Sequence, residues 1–103
     1  MILASAYYPY SASARFDFDY YRQQHLPMVL RLLGPFGLQR AEVVRGVPGP
    51  DGAAPRFLAV GQLYFTDLAR VADGLSAHGA EILADVARYT DLTPDIQFAE
   101  VLA

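Results

Sequence analysis

Phe16-Asp17-Phe18-Asp19-Tyr20-Tyr21-Arg22-Gln23-Gln24-His25-Leu26-Pro27-Met28-Val29-Leu30 is the stretch on which the fold turns. On a 3.6-residue period Phe18, Tyr21, His25, Met28, Val29 and Leu32 share one stripe, so the spacing predicts a helix with a histidine on its buried face. The helix is expected from about Asp17 to Leu33, with Asp17 or Asp19 favouring its N-terminus and Gly34-Pro35 ending it. Pro27 lies inside that span. It removes a backbone donor and clashes one turn back, so it predicts a kink or interruption two residues after His25.

Outward from this helix the pattern changes to strands. Ile2 to Tyr10 puts Leu3, Ser5 and Tyr7 on one side and Ala4, Ala6 and Tyr8 on the other. Leu38 to Arg45 reads as a strand near a sheet edge, with Arg40, Glu42 and Arg45 giving it a partly polar face. Gly46 to Pro55, with three prolines and three glycines, is a connection. Phe57 to Thr66 has the clearest alternation, with Phe57, Ala59, Gly61, Leu63 and Phe65 opposite Leu58, Val60, Gln62 and Tyr64. Thr66-Asp67 starts a second helical region whose inward stripe is Leu68, Val71 and Leu75, weakened by Gly74 and Gly79; Ile82, Leu83, Val86 and Tyr89 follow, so either one broken helix or two short ones is expected. Ile96 to Leu102 closes the chain as a strand.

The order βαββαβ predicts an α+β domain spanning residues 1–103. Its simplest form is a ferredoxin-like, four-stranded antiparallel sheet with both helices on one face. The other face, carrying Leu58, Val60, Gln62 and Tyr64, is expected to be covered by a second copy. A symmetric homodimer closing face to face would make oligomerisation and function share one surface.

Composition narrows the function. The formal net charge is -3 and all eight basic residues are arginines scattered through the chain, which predicts neither nucleic acid nor an anionic membrane as partner. With no cysteine and two histidines, thiolate chemistry and a protein-built metal site are not expected. The start lacks the basic region of a signal peptide, and no apolar run reaches the roughly 20 residues of a membrane span. A cytoplasmic location is the expectation. Seven tyrosines and six phenylalanines suit an apolar cavity wall with hydroxyl tips.

His25 is the candidate catalytic residue, since imidazole exchanges protons near neutral pH without a large shift in pKa. Tyr21, one helical turn earlier, is placed to share a hydrogen bond with it or to face the same substrate. Gln62 and Tyr64 are candidates to orient a carbonyl or stabilise an enolate, and Tyr7 is a further substrate-binding candidate. The alternative for His25 is a core histidine that satisfies backbone groups. His78, in line with Val71 and Leu75, is either an exposed helix-end residue or points into the cleft between helix and sheet. No glycine-rich phosphate loop joins a strand to a helix, so no nucleotide cofactor is expected. Asp17, Asp19, Asp67 and Asp91 read as helix-end caps.

Phe16-Asp17-x-x-Tyr20-Tyr21-x-x-x-His25-x-Pro27-Met28 resembles the signature of the EthD family, named for ethyl tert-butyl ether degradation, in the dimeric α/β-barrel superfamily. Leu63-Tyr64-Phe65, Asp85 with Tyr89-Thr90-Asp91, and Glu100-Val101 extend the likeness, while the loop from Gly46 to Pro55 carries none of it. The resemblance implies a homodimer of ferredoxin-like subunits, an oxidative degradation setting, and relatives among polyketide cyclases and monooxygenases; some relatives in the superfamily bind haem through a helix histidine, which here would be His78, although Ser76-Ala77-His78-Gly79 matches no haem motif. Two functions follow as expectations. One is a cofactor-free lyase, isomerase or cyclase acting on a hydrophobic, oxygen-containing small molecule. The other is a non-catalytic protein that binds such a molecule for a separate oxygenase.

Overall fold

In a computed structural model describing Met1–Ala103, strands β1 (Ile2–Pro9), β2 (Leu38–Arg45), β3 (Phe57–Phe65) and β4 (Asp95–Glu100) form one four-stranded sheet. The spatial order is β2-β3-β1-β4 and every pairing is antiparallel. Two helical layers lie on one face: α1 (Phe18–Tyr20) leading into α2 (Leu26–Leu33), and α3 (Leu68–Ala84). This is the ferredoxin-like arrangement expected from the element order, with β2 at an edge.

The first helical rod departs from the expected stripe, and Pro27 explains how. Residues Tyr21–His25 form a π-helical turn in which the Leu26 N–H reaches back five residues to the Tyr21 carbonyl. The wider turn accommodates the missing Pro27 donor, and Pro27 then sits at the start of α2. One extra residue per turn also shifts the buried stripe. Tyr21 and His25 are buried before the shift and Leu26, Val29 and Leu33 after it, while Met28 and Leu32 are only partly covered. Gly34 is the C-cap of α2, as expected, and takes that place with a helical φ of -51°. The chain continues through a 3₁₀ turn, Gly34–Phe36, and reverses at Gly37, whose φ of 89° favours glycine.

The second helix is continuous. The Asp67 carboxylate accepts from the Arg70 N–H at 2.9 Å, the cap that Thr66-Asp67 predicts. Val71 is buried as expected, but Leu68 and Leu75 are exposed. Gly74 is the closest approach between helices and not a weak point: a Cβ there would sit 3.0 Å from Leu33 Cδ2 and from Phe36 Cβ. Val71 joins Ala4, Val29, Leu33, Leu38 and Phe65 in one core cluster.

Strand alternation divides the sheet as predicted. Ala4, Ala59, Gly61 and Phe65 are buried under the helices. On the other face Arg40 lies over the Tyr64 ring at 4.0 Å, and the Tyr64 hydroxyl donates to Glu42 Oε1 at 2.9 Å. That face is thus more polar than the strand sequence Phe57 to Thr66 alone suggests.

Candidate active site

A second buried cluster, Tyr8, Tyr21, Leu26, Ala59 and Tyr89, forms the other half of the helix-to-sheet layer. Tyr8 comes from β1, Tyr21 from the π turn, and Tyr89 from the end of the 3₁₀ turn that follows α3. Their rings meet edge-on, with centroids 4.9 Å apart for Tyr21 and Tyr89 and 6.0 Å for Tyr8 and Tyr89. Such contacts add about 0.5–1.5 kcal/mol per pair beyond area burial, so the cluster is rigid. The Tyr21 hydroxyl rests on the strand where Gly61 has no side chain: a Cβ at Gly61 would lie 2.1 Å from that oxygen.

The segment bearing Tyr89 is tied to the approach of the first helix. Asp17 N–H donates to the Tyr89 carbonyl at 2.7 Å, and Arg15 Nη2 donates to the Ala87 carbonyl at 2.9 Å. Asp91 serves this latch by accepting from the Arg15 N–H at 3.1 Å, a role other than the helix cap expected of it. Asp17 does cap its helix, through the Tyr20 N–H at 3.0 Å.

This latch brings Asp85 to His25. His25 Nδ1 lies 2.8 Å from Asp85 Oδ2, and the Tyr20 hydroxyl donates to Asp85 Oδ1 at 2.8 Å. The side chains of His25 and Asp85 are 6% and 13% exposed, and Arg88 Nε is 3.6 Å from the carboxylate. Burial holds the His25 imidazole below its ordinary pKa, partly opposed by the Asp85 carboxylate. Burial acts to raise the Asp85 pKa, but the hydrogen bonds from His25 and Tyr20 outweigh it and hold the carboxyl below its ordinary value. At neutral pH the pair is therefore a neutral imidazole and a carboxylate, with the proton on Nδ1.

Nε2 is left free. It has no protein hydrogen-bond partner, yet no fully buried side-chain polar atom lacks one, so Nε2 opens onto space. That space is a cavity of about 480 Å³ between the sheet, α2 and α3, bordered by His25, Tyr8, Tyr21 and Tyr89 at one end. Apart from Ser5 the rest of its wall carries no polar side chain and includes Val29, Leu63 and Val86. Leu75, Leu83, Ile96 and Phe98 line it too and are solvent-exposed, which places its mouth between α3 and β4.

Of the residues singled out in the sequence, the structure brings His25 and Tyr21 together, with ring centroids 4.9 Å apart. Their contact is ring packing; the hydrogen bond of His25 goes to Asp85. Gln62, Tyr64 and Tyr7 alternate onto the opposite sheet face, in register with Ser5, Leu3 and Val60 respectively. They do not meet His25, and the cavity and the open sheet face are separate surfaces of the subunit. His78 does not line the cavity; its ring lies 5.8 Å from Phe36, and Nδ1 is 3.8 Å from Glu81. Among clusters of histidine and carboxylate side chains, none has the makings of a metal site.

Fold and site together define a class: a ferredoxin-like α+β subunit with an apolar pocket at whose inner end a histidine–aspartate pair meets tyrosine hydroxyls. The chain belongs to the EthD family, whose domain model matches residues 10–93. It is similar to the crystal structure of an EthD-like protein from Ralstonia eutropha JMP134, with 38% identity and a TM-score of 0.92 over 99% of this chain and 92% of that one. An EthD family protein from Bacillus halodurans C-125 aligns at 21% identity and TM-score 0.68, covering 99% of both chains. HapK from Hahella chejuensis aligns at 18% identity and TM-score 0.59, covering 99% of this chain and 93% of that one. No curated protein matches the sequence significantly. No helix is long and apolar enough to cross a membrane.

Proposed function

We propose that this protein is a cofactor-free acid–base catalyst of lyase, isomerase or cyclase type, acting on a hydrophobic, oxygen-containing organic molecule held between helices and sheet. One observation carries the reading: His25 Nδ1 is fixed on Asp85 at 2.8 Å while Nε2 faces an apolar cavity. Asp85 sets the tautomer, so Nε2 presents its lone pair, and the carboxylate steadies the imidazolium formed when that nitrogen takes a proton. The family setting favours an oxidative degradation or polyketide-like pathway in the cytoplasm. The uncovered sheet face, with Leu3, Val44 and Val60 beside the Arg40–Glu42 pair, is the surface through which two subunits would associate as a homodimer.

The test uses a ketone that reports proton transfer without knowledge of the natural substrate. Incorporation of solvent deuterium at the α-carbons of 2-tetralone, followed by proton NMR, is expected to be accelerated by the wild-type protein. The His25→Gln variant should lose roughly 10²–10⁴-fold of that acceleration. Equal exchange by a folded His25→Gln variant would assign the cavity to binding alone, as in an accessory protein for a separate oxygenase.

A further inference from the structure

The three cavity tyrosines outnumber the partners available to them. Tyr8 and Tyr89 share one hydrogen bond, oxygen to oxygen at 2.5 Å, and the Tyr21 hydroxyl lies close enough to Tyr8 to couple with it, so three O–H protons serve at most two mutual contacts and one is left without a protein acceptor. Burial raises the pKa of both hydroxyls, as it does for Tyr21, so all three keep their protons near neutral pH. Tyr89 also packs against the His25 ring with centroids 4.7 Å apart. A proton acceptor and an unspent proton donor thus share the inner end of one apolar cavity. No charged residue lines that cavity, and the nearest charge is the Asp85 carboxylate behind His25. An anionic ligand would therefore lose its hydration without gaining a counter-ion.

We propose that Tyr8 and Tyr89 form the oxyanion-recognising half of the site, which selects an uncharged, enolisable carbonyl compound with an apolar body. This rests on the proton-transfer reading of His25 and gives it a substrate class. The carbonyl oxygen accepts the free tyrosine O–H, and the apolar body runs toward the mouth between α3 and β4. His25 Nε2 then takes a proton from the α-carbon. The C–H electron pair becomes the C=C bond of the enolate, and the carbonyl π pair moves onto oxygen, where the tyrosine donor meets the new charge. Imidazolium and enolate balance the step; returning the proton to another atom completes an isomerisation, while attack of the enolate carbon on a second carbonyl moves that carbonyl's π pair onto its oxygen, which takes the imidazolium proton and completes an aldol cyclisation.

The test is calorimetric binding of 2-tetralone, tetralin and tetralin-2-carboxylate to wild type, Tyr8→Phe/Tyr89→Phe and His25→Gln. A ketone accepts hydrogen bonds but donates none, so it reports the tyrosines and not His25. Wild type should bind 2-tetralone about tenfold more tightly than tetralin and the carboxylate more weakly than the ketone. The double variant removes both ends of the tyrosine bond, keeps both rings, and should erase most of the preference for ketone over tetralin; if it fails to fold, the carbonyl infrared stretch of 2-tetralone bound to wild type should lie below that of the ketone in an apolar solvent, and an unshifted stretch would overturn the assignment. His25→Gln should keep the binding preference while losing deuterium exchange, so a failure of proton transfer and a failure of oxyanion recognition give different patterns. Equal binding of ketone and tetralin by wild type, tighter binding of the carboxylate, or a preference that survives in the tyrosine variant would overturn the assignment.

Discussion

Gly61→Ala is the smallest change that should dismantle the site. The added Cβ would lie 2.1 Å from the Tyr21 hydroxyl and 3.3 Å from Cζ, while its next contact, Ala6 Cβ, is an ordinary 3.9 Å. The conflict is therefore with one oxygen atom. Gly61 lies inside β3 between β1 and β2, so the strand cannot retreat without breaking ladder bonds on both sides. Tyr21 must move instead, and its ring packs on Tyr89 and His25. Overpacking of this kind costs about 1–3 kcal/mol, and each kcal/mol lowers the Tm of a domain this size by about 4–8 °C. The assay is a double-mutant cycle read by thermal or urea unfolding of wild type, Gly61→Ala, Tyr21→Phe and the double variant. Removing the hydroxyl leaves the new Cβ facing Cζ at 3.3 Å, a contact that small adjustments absorb. The double variant should thus be more stable than the sum of the single changes predicts, by about 1 kcal/mol or more. A Gly61→Ala protein as stable as wild type, or strictly additive effects, would refute the seating of Tyr21 on β3.

Asp85→Asn should leave the fold intact but remove the charge that steadies the imidazolium. Deuterium exchange into 2-tetralone should fall about 10–100-fold, and the His25 pKa should drop further, because the carboxylate is what opposes the effect of burial. Stability should rise with pH on two counts. His25 is held neutral when folded, so its contribution is complete above its unfolded pKa of about 6.5 and is lost as pH falls through the lower folded value. Asp85 is held ionised, and its contribution is complete above about pH 4 and lost in stronger acid. Thermal unfolding between pH 8 and 5 should show a decline in wild type that flattens in His25→Gln. His78→Ala, which changes a partly exposed residue outside the cavity, should alter stability by less than about 0.5 kcal/mol and leave 2-tetralone binding unchanged.

Much of the fold was legible because two periodicities alternate cleanly along the chain. The strand Phe57 to Thr66 could be assigned to its faces residue by residue, and Asp17 and Asp67 announced both helix starts. Pro27 predicted an irregularity beside His25, but not its form. A π turn inserts a residue without leaving a trace in composition, and so the shift of the buried stripe to Leu26 and Leu33 was invisible. Gly74 looked like a weak helix residue because its neighbours, Leu33 and Phe36, lie far away in sequence.

The candidate site was legible only in part, for a similar reason. His25 and Tyr21 stood on one helix stripe, whereas Asp85 lies 60 positions from His25 and reaches it through the latch of Arg15, Asp17 and Asp91. Gln62 and Tyr64 are hydrogen-bonding side chains on the best strand, which drew attention to the wrong side of the sheet relative to His25. Two features of the sequence do meet the cavity: a lone glycine inside that same strand, a common sign of close approach, and Tyr8 alternating onto the helix-facing side of β1.

Nitrogen NMR of the imidazole shows directly whether His25 is a neutral base with Nε2 open to the cavity. With ¹⁵N-labelled histidine, His25 at pH 7 should give the neutral form protonated on Nδ1, and its titration midpoint should lie below that of an unperturbed histidine. An imidazolium at pH 7, or a neutral ring carrying its proton on Nε2, would contradict the account, because neither presents a lone pair to the cavity.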